Sequence, residues 1–299
     1  MIDIDALLAK TESLLSTMYV VQDGYGLGPP GKTHVGTCIN FLDLLEMRKQ
    51  FVEELVNTAT AFVYSKAKQT ALLNALAEEG RDPSAAWSQL IRRARKKFRP
   101  FSVQGQFSEL LLCNLLQHYF HAAPLVRKMS ITTNPNVERN GADAIHIARD
   151  GLDYRLYLGE AKTYDRKNGG LTTALSNAIN DILEKYEKHT DELSLYTYED
   201  FVPTELEEVA RAYCNGTLET VEVHLVCIVT FHEKEAITGH SRQEKLDFII
   251  GALKKATEKA SKATAFADVP LELRPRLNFI LFPVREMEDL IGSFSKALV

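Results

Sequence analysis

Asp143, Glu160 and Lys162 fall in one short stretch, residues 142–163 (ADAIHIARDGLDYRLYLGEAKT), in a pattern suited to metal-assisted hydrolysis. Glu160 and Lys162 lie two apart in a segment of strand-like composition, so both project from one face. Asp150-Gly151, between two alternating segments, is a turn signal, and a reversal there carries Asp143 opposite residues 158–160. Two carboxylates at the end of an apolar strand are costly to bury unless a cation compensates. Their hard oxygen donors suit Mg²⁺, with Mn²⁺ as the alternative. Lys162 would then orient or deprotonate an attacking water, or stabilise the negative charge that develops.

Glu109 is the fourth candidate, as a metal ligand or as the holder of a metal-bound water. Residues 106–121 (QFSELLLCNLLQHYFH) have a helical pattern in which Glu109 aligns with Leu112, Cys113, Leu116 and Phe120. The polar face of that helix runs through Asn114, Gln117, His118 and His121. A glutamate on the apolar side needs a cation or hydrogen bonds to be tolerated. A Glu-x-Lys triplet alone carries little weight, because exposed strands and helices bear such pairs routinely. The Asp across the hairpin and the inward Glu turn it into a candidate site.

The elements that must position these residues alternate from about residue 100 onward. The helix at 106–121 leads to an extended stretch at 125–134, the hairpin at 142–163 and a helix at 171–190. An irregular stretch at 191–205 follows. Apolar strands at 221–231 and 277–284 then bracket a Lys-rich helix at 242–264, and a helix at 285–298 closes the chain. This order predicts an α/β fold with a mixed central sheet flanked by helices over residues 100–299. Residues 1–99 read as a mostly helical region: helices at 3–17, 43–64, 66–79 and 85–98, with one short strand at 34–41.

Other motifs compete for attention. GLGPPGKT (26–33) matches the phosphate-binding loop expression, but that loop needs a helix directly after it, and 34–41 reads as a strand. Arg92, Arg93, Arg95, Lys96, Lys97 and Arg99 form a basic cluster, either a solvated helix face or a contact for phosphate or a partner. His146, at an odd offset from Asp143, points to the other face of its strand and reads as a core histidine. Tyr164 continues the Glu160/Lys162 face, and Asn177 lies on the following helix; both are weaker candidates.

The runs KMSITTNPN (128–136), GADAIHI (141–147) and YLGEAKTY (157–164) resemble the nuclease subunits of the Hachiman anti-phage defence system. The helix-Glu, hairpin-Asp, Glu-x-Lys order resembles the PD-(D/E)XK nuclease superfamily. The similarity extends through HVGTCINF (34–41), GQFSELLL (105–112) and FILFPV (279–284), so it covers most of the chain. It implies a PD-(D/E)XK-like core and a Mg²⁺-dependent endonuclease working with a superfamily-two helicase encoded nearby, on DNA in preference to RNA. It also implies metal-ligand roles for Asp143 and Glu160, a catalytic role for Lys162, and Glu109 as the helix glutamate. One departure is that Asp143 follows Gly-Ala, with no proline before it.

The bulk properties leave room for this and restrict the setting. The 299 residues are 45% hydrophobic and 25% charged, the balance of a globular protein with a sizeable core. The N-terminus is acidic where a signal peptide would be basic, and no apolar run reaches membrane-spanning length, so a cytoplasmic protein is expected. The four cysteines are scattered, which argues against a zinc site and a disulfide framework. A net charge of −5 gives little intrinsic pull on nucleic acid, which favours a partner or a local basic patch. The same charge keeps open a regulatory subunit that restrains or licenses a helicase.

Overall fold

The computed structural model describes residues 2–22, 26–28, 34–98, 103–129, 141–164, 170–197, 202–233, 235–262 and 264–299. In chain order these give α1 (Glu12–Ser16), β1 (Met18–Gln22), β2 (Val35–Ile39), a small hairpin β3 (Phe41–Leu42) and β4 (Leu45–Glu46), and then α2 (Arg48–Asn57), α3 (Ala59–Val63), α4 (Lys66–Glu78) and α5 (Pro83–Arg95). There follow α6 (Val103–Tyr119), β5 (Ala123–Pro124), β6 (Ala144–Asp150), β7 (Asp153–Tyr164), α7 (Leu171–Thr197) and α8 (Glu207–Cys214). The chain ends with β8 (Val221–His232), α9 (Arg242–Ala260), β9 (Leu277–Val284) and α10 (Met287–Ala297).

Among the described residues, seven strands form one mixed sheet in the order β1-β2-β9-β8-β7-β6-β5. The interior run β2-β9-β8-β7 is parallel, and the outer pairs β1/β2, β7/β6 and β6/β5 are antiparallel. β9 (LNFILFPV) is buried along its whole length and β8 along most of it, the near-continuous apolar reading of strands covered on both faces. One face packs on α7 and α9 through Leu156, Leu158, Leu175, Ile179 and Leu253. The other packs on α2, α6 and α10 through Phe51, Phe107, Leu112, Phe282 and Phe294.

The mixed sheet flanked by helices matches the α/β expectation. Residues 1–99 supply most of the helices expected of them, together with β1 and β2, which extend the same sheet beyond β9. The segment 3–17 is helical only at 5–7 and 12–16, and the chain then continues as a strand, Met18–Gln22 pairing with Val35–Ile39. The helix expected over 43–64 starts at Arg48 and breaks at Thr58; the chain first turns the β3–β4 hairpin, with Asp43 at φ 54°. At the other end α7 runs on to Thr197, through the start of the stretch expected to be irregular.

From Leu110 to Gln117, α6 is buried on all sides. Asn114 and Gln117, expected on a polar face, lie in the interior. Asn114 donates to Thr58 Oγ1 and the Leu110 carbonyl, while Gln117 donates to the Cys113 carbonyl and accepts from the Ala9 amide. Gly159 lets this helix sit close to β7, since a Cβ there would lie 2.8 Å from Leu112 Cδ2 and 2.9 Å from Ala144 Cβ.

Candidate metal centre

β6 and β7 join through a two-residue turn, Asp150 pairing with Asp153 and Gly151 at φ 65°. The register runs back to Ala144 opposite Gly159, and the Asp143 amide donates to the Gly159 carbonyl at 3.1 Å. One more step along that register sets Asp143 across from Glu160. Asp143 Oδ2 accepts from the Ala161 amide at 2.8 Å, so the carboxylate pins the end of the strand pair and keeps its second oxygen available.

Glu160 is 1% exposed. Its Oε1 lies 2.8 Å from Lys162 Nζ, and its Oε2 pairs with Lys185 of α7. Lys185 Nζ is also 3.7 Å from Asp143 Oδ1. Lys162 in turn reaches Asp181 Oδ2 at 2.5 Å. Asn177, one turn further back on α7, donates to the Tyr164 hydroxyl. Helix and strand meet in step: residues four apart on α7 (177, 181, 185) face residues two apart on β7 (164, 162, 160). Four helical residues rise about 6 Å and two strand residues about 6.6 Å, so an antiparallel helix stays in register over several rungs.

Burial raises the pKa of Asp143, with Lys185 opposing and the charge of Glu109 adding to the rise. Burial also raises the pKa of Glu160, and the nearby Asp143 adds to it against the two lysines. Desolvation pulls Lys162 and Lys185 down, but their carboxylate partners more than restore them, and both end above the ordinary lysine value. Lys162 therefore stays an ammonium group at neutral pH, which suits charge stabilisation and positioning better than proton abstraction.

Glu109 is half-buried and comes from the α6 side of the sheet, whereas α7 covers the other. It meets Asp143 across a cavity of about 40 Å³ lined also by Cys113, Arg127, Lys128 and His146, room for about one or two waters. Among the described residues, no three His, Cys, Asp or Glu side chains gather as a ready-made metal cage. The donor set still fits a small hard cation, because Mg²⁺ is commonly held by one or two carboxylates, with waters and substrate completing its shell. The stand-in here is an ammonium group, Lys185, shared by both carboxylates.

The wider surroundings sort the remaining candidates. His146 is 2% exposed, its Nδ1 is 2.9 Å from the Ala122 carbonyl, and burial lowers its pKa to about 3, as for a neutral interior histidine. The basic cluster sits at the end of α5, packed on the α6 side of the sheet, where Arg92, Arg95 and Lys96 line a groove beside Leu298 and Val299; Arg99 lies outside the described residues. Residues 29–33 of GLGPPGKT also lie outside the described residues, and the element that follows them is strand β2. Most of KMSITTNPN (130–136) lies outside them too. Lys185 and Asp181 escaped the sequence reasoning. Their signal was there in the four-residue spacing of Asn177, Asp181 and Lys185.

A family model, HamA, matches residues 17–298, a span that takes in every residue of this centre. The chain belongs to the HamA family. Membership ties it to Hachiman anti-phage defence, a system of several components. Among curated proteins, none matches this HamA-family chain. No described helix is long and apolar enough to cross a membrane.

Proposed function

We propose that this HamA-family protein is a PD-(D/E)XK-type, Mg²⁺-dependent endonuclease that hydrolyses DNA phosphodiester bonds alongside a superfamily-two helicase. The observation that carries the reading is the convergence of Asp143 Oδ1 and Glu160 Oε2 on a single cationic group, with Lys162 fixed beside them. A divalent ion held there supplies Lewis acidity, stabilising charge on the phosphoryl oxygens and acidifying the attacking water. Asp143 and Glu160 hold that ion. Lys162, steadied by Glu160 and Asp181, presents an ammonium group to the negative charge that builds on the phosphate. Glu109 faces the water-sized cavity next to Asp143 and orients a water there. The test is plasmid DNA with purified protein and Mg²⁺. Glu160→Ala and Lys162→Ala should each abolish cleavage, and undiminished cleavage by both rejects the site.

The net charge of −5, with both lysines of the centre tied to carboxylates, supports a second reading. In it the chain chiefly restrains or licenses the helicase, and cleavage stays latent until the partner moves. Cutting by the isolated chain as fast as by the complex rejects this.

A further inference from the structure

Each carboxylate of the centre has one oxygen already committed. Asp143 Oδ2 is taken by the Ala161 amide and Glu160 Oε1 by Lys162. The other two oxygens, Asp143 Oδ1 and Glu160 Oε2, are the ones left to bind a cation, and both face the ammonium group of Lys185.

We propose that Lys185 is the internal counter-ion of this centre: it holds the two carboxylates together until a divalent cation binds, and it must yield its place when one does. This rests on the metal-site reading above and adds a residue and an order of events to it. Charge supports it. Asp143, Glu160 and Asp181 face Lys162 and Lys185, three carboxylates against two ammonium groups, so the cluster is formally negative and attracts a divalent ion. The chain also has a reason to keep a lysine here. A buried carboxylate pair without a cation is costly, and the Lys185 ammonium between the two offsets that cost.

The two lysines differ in their partners. Lys162 is held by Asp181, which faces it from α7, as well as by Glu160, so it stays tethered when an ion binds. Both partners of Lys185, Asp143 and Glu160, are the carboxylates a doubly charged ion would take over, and its flexible, partly exposed stem gives the ammonium a route to solvent. A positive group at the ion's position repels it, and its removal should favour the divalent ion by about tenfold or more.

The experiment is Mn²⁺ binding to the purified full-length chain by calorimetry, together with thermal unfolding in metal-free buffer. Lys185→Met should bind Mn²⁺ at least about tenfold more tightly than the unsubstituted chain and unfold at a lower temperature without metal, with Mn²⁺ restoring the difference. Lys185→Gln, which keeps a hydrogen-bond donor, should fall between the two and carries the test if the Met variant does not fold. Lys188→Met, which removes an exposed lysine paired with Glu184 on the same helix, should leave affinity unchanged. Equal or weaker Mn²⁺ binding by both Lys185 variants overturns the proposal. Full Mn²⁺ binding by Asp143→Asn/Glu160→Gln overturns instead the metal-site reading beneath it.

Discussion

Asp143 and Lys185, at the proposed metal centre, each have two sets of demands on them. Asp143 closes the β6–β7 ladder through Oδ2 and offers Oδ1 to a cation. Asp143→Asn keeps an oxygen that can accept from the Ala161 amide but loses the charge. Cleavage should therefore drop by at least about 100-fold while the melting temperature moves only slightly, which nicking assays paired with calorimetry would check. His146 makes a separate prediction about pH. Its pKa is lowered to about 3 by burial, against an ordinary 6.5 in the unfolded chain. Between those values the unfolded state takes up a proton that the folded state refuses, so stability falls as pH drops through that window. The slope is about 1.4 kcal/mol per pH unit, a loss of about 2 kcal/mol from pH 7 to 5. His146→Asn should lose that much less over the same range in urea titrations; identical pH profiles for the two proteins would contradict the assignment.

Packing between elements decides whether those side chains meet. The β6–β7 hairpin was legible in the sequence because alternation and Asp150-Gly151 are local signals, and the register that follows places Asp143 against Glu160 without further information. The α7 contribution was not legible in the same way. A polar residue every fourth position on a helix says that one stripe is polar, but only the docking of α7 on β7 says that the stripe faces Glu160 and Lys162 instead of solvent. β1 was hidden for a related reason: MYVVQ follows a run of leucines at helical spacing, and it becomes a strand only by pairing with β2 across the 23–34 connection. The small β3–β4 hairpin, whose Leu42 and Leu45 are exposed, read as the start of a helix because its apolar residues carry no period-two signal. On the α6 side the tight point is Gly159. Gly159→Ala would press a methyl group against Leu112 and the Ala144 Cβ, and should cost about 1–3 kcal/mol in chemical denaturation. It should also weaken cleavage, because α6 carries Glu109.

Among the described residues, one sheet binds the N-terminal strands, the site and the C-terminal strand into a continuous framework, with β9 and most of β8 covered on both faces. The centre sits toward the β6 side of that sheet, and the basic end of α5 packs on the face opposite α7. With a net charge of −5, DNA binding by the isolated chain should be weak and strongly salt-sensitive. A fluorescence-anisotropy titration should show affinity collapsing between about 50 and 200 mM salt, and the partner component should restore it. The proposed chemistry depends on a divalent ion displacing an ammonium group between two carboxylates. Anomalous diffraction from crystals soaked in Mn²⁺ tests this most directly. The expected result is a peak about 2.1 Å from both Asp143 Oδ1 and Glu160 Oε2, with Lys185 turned away. A Mn²⁺ peak elsewhere, with Lys185 still bridging the two carboxylates, would contradict it.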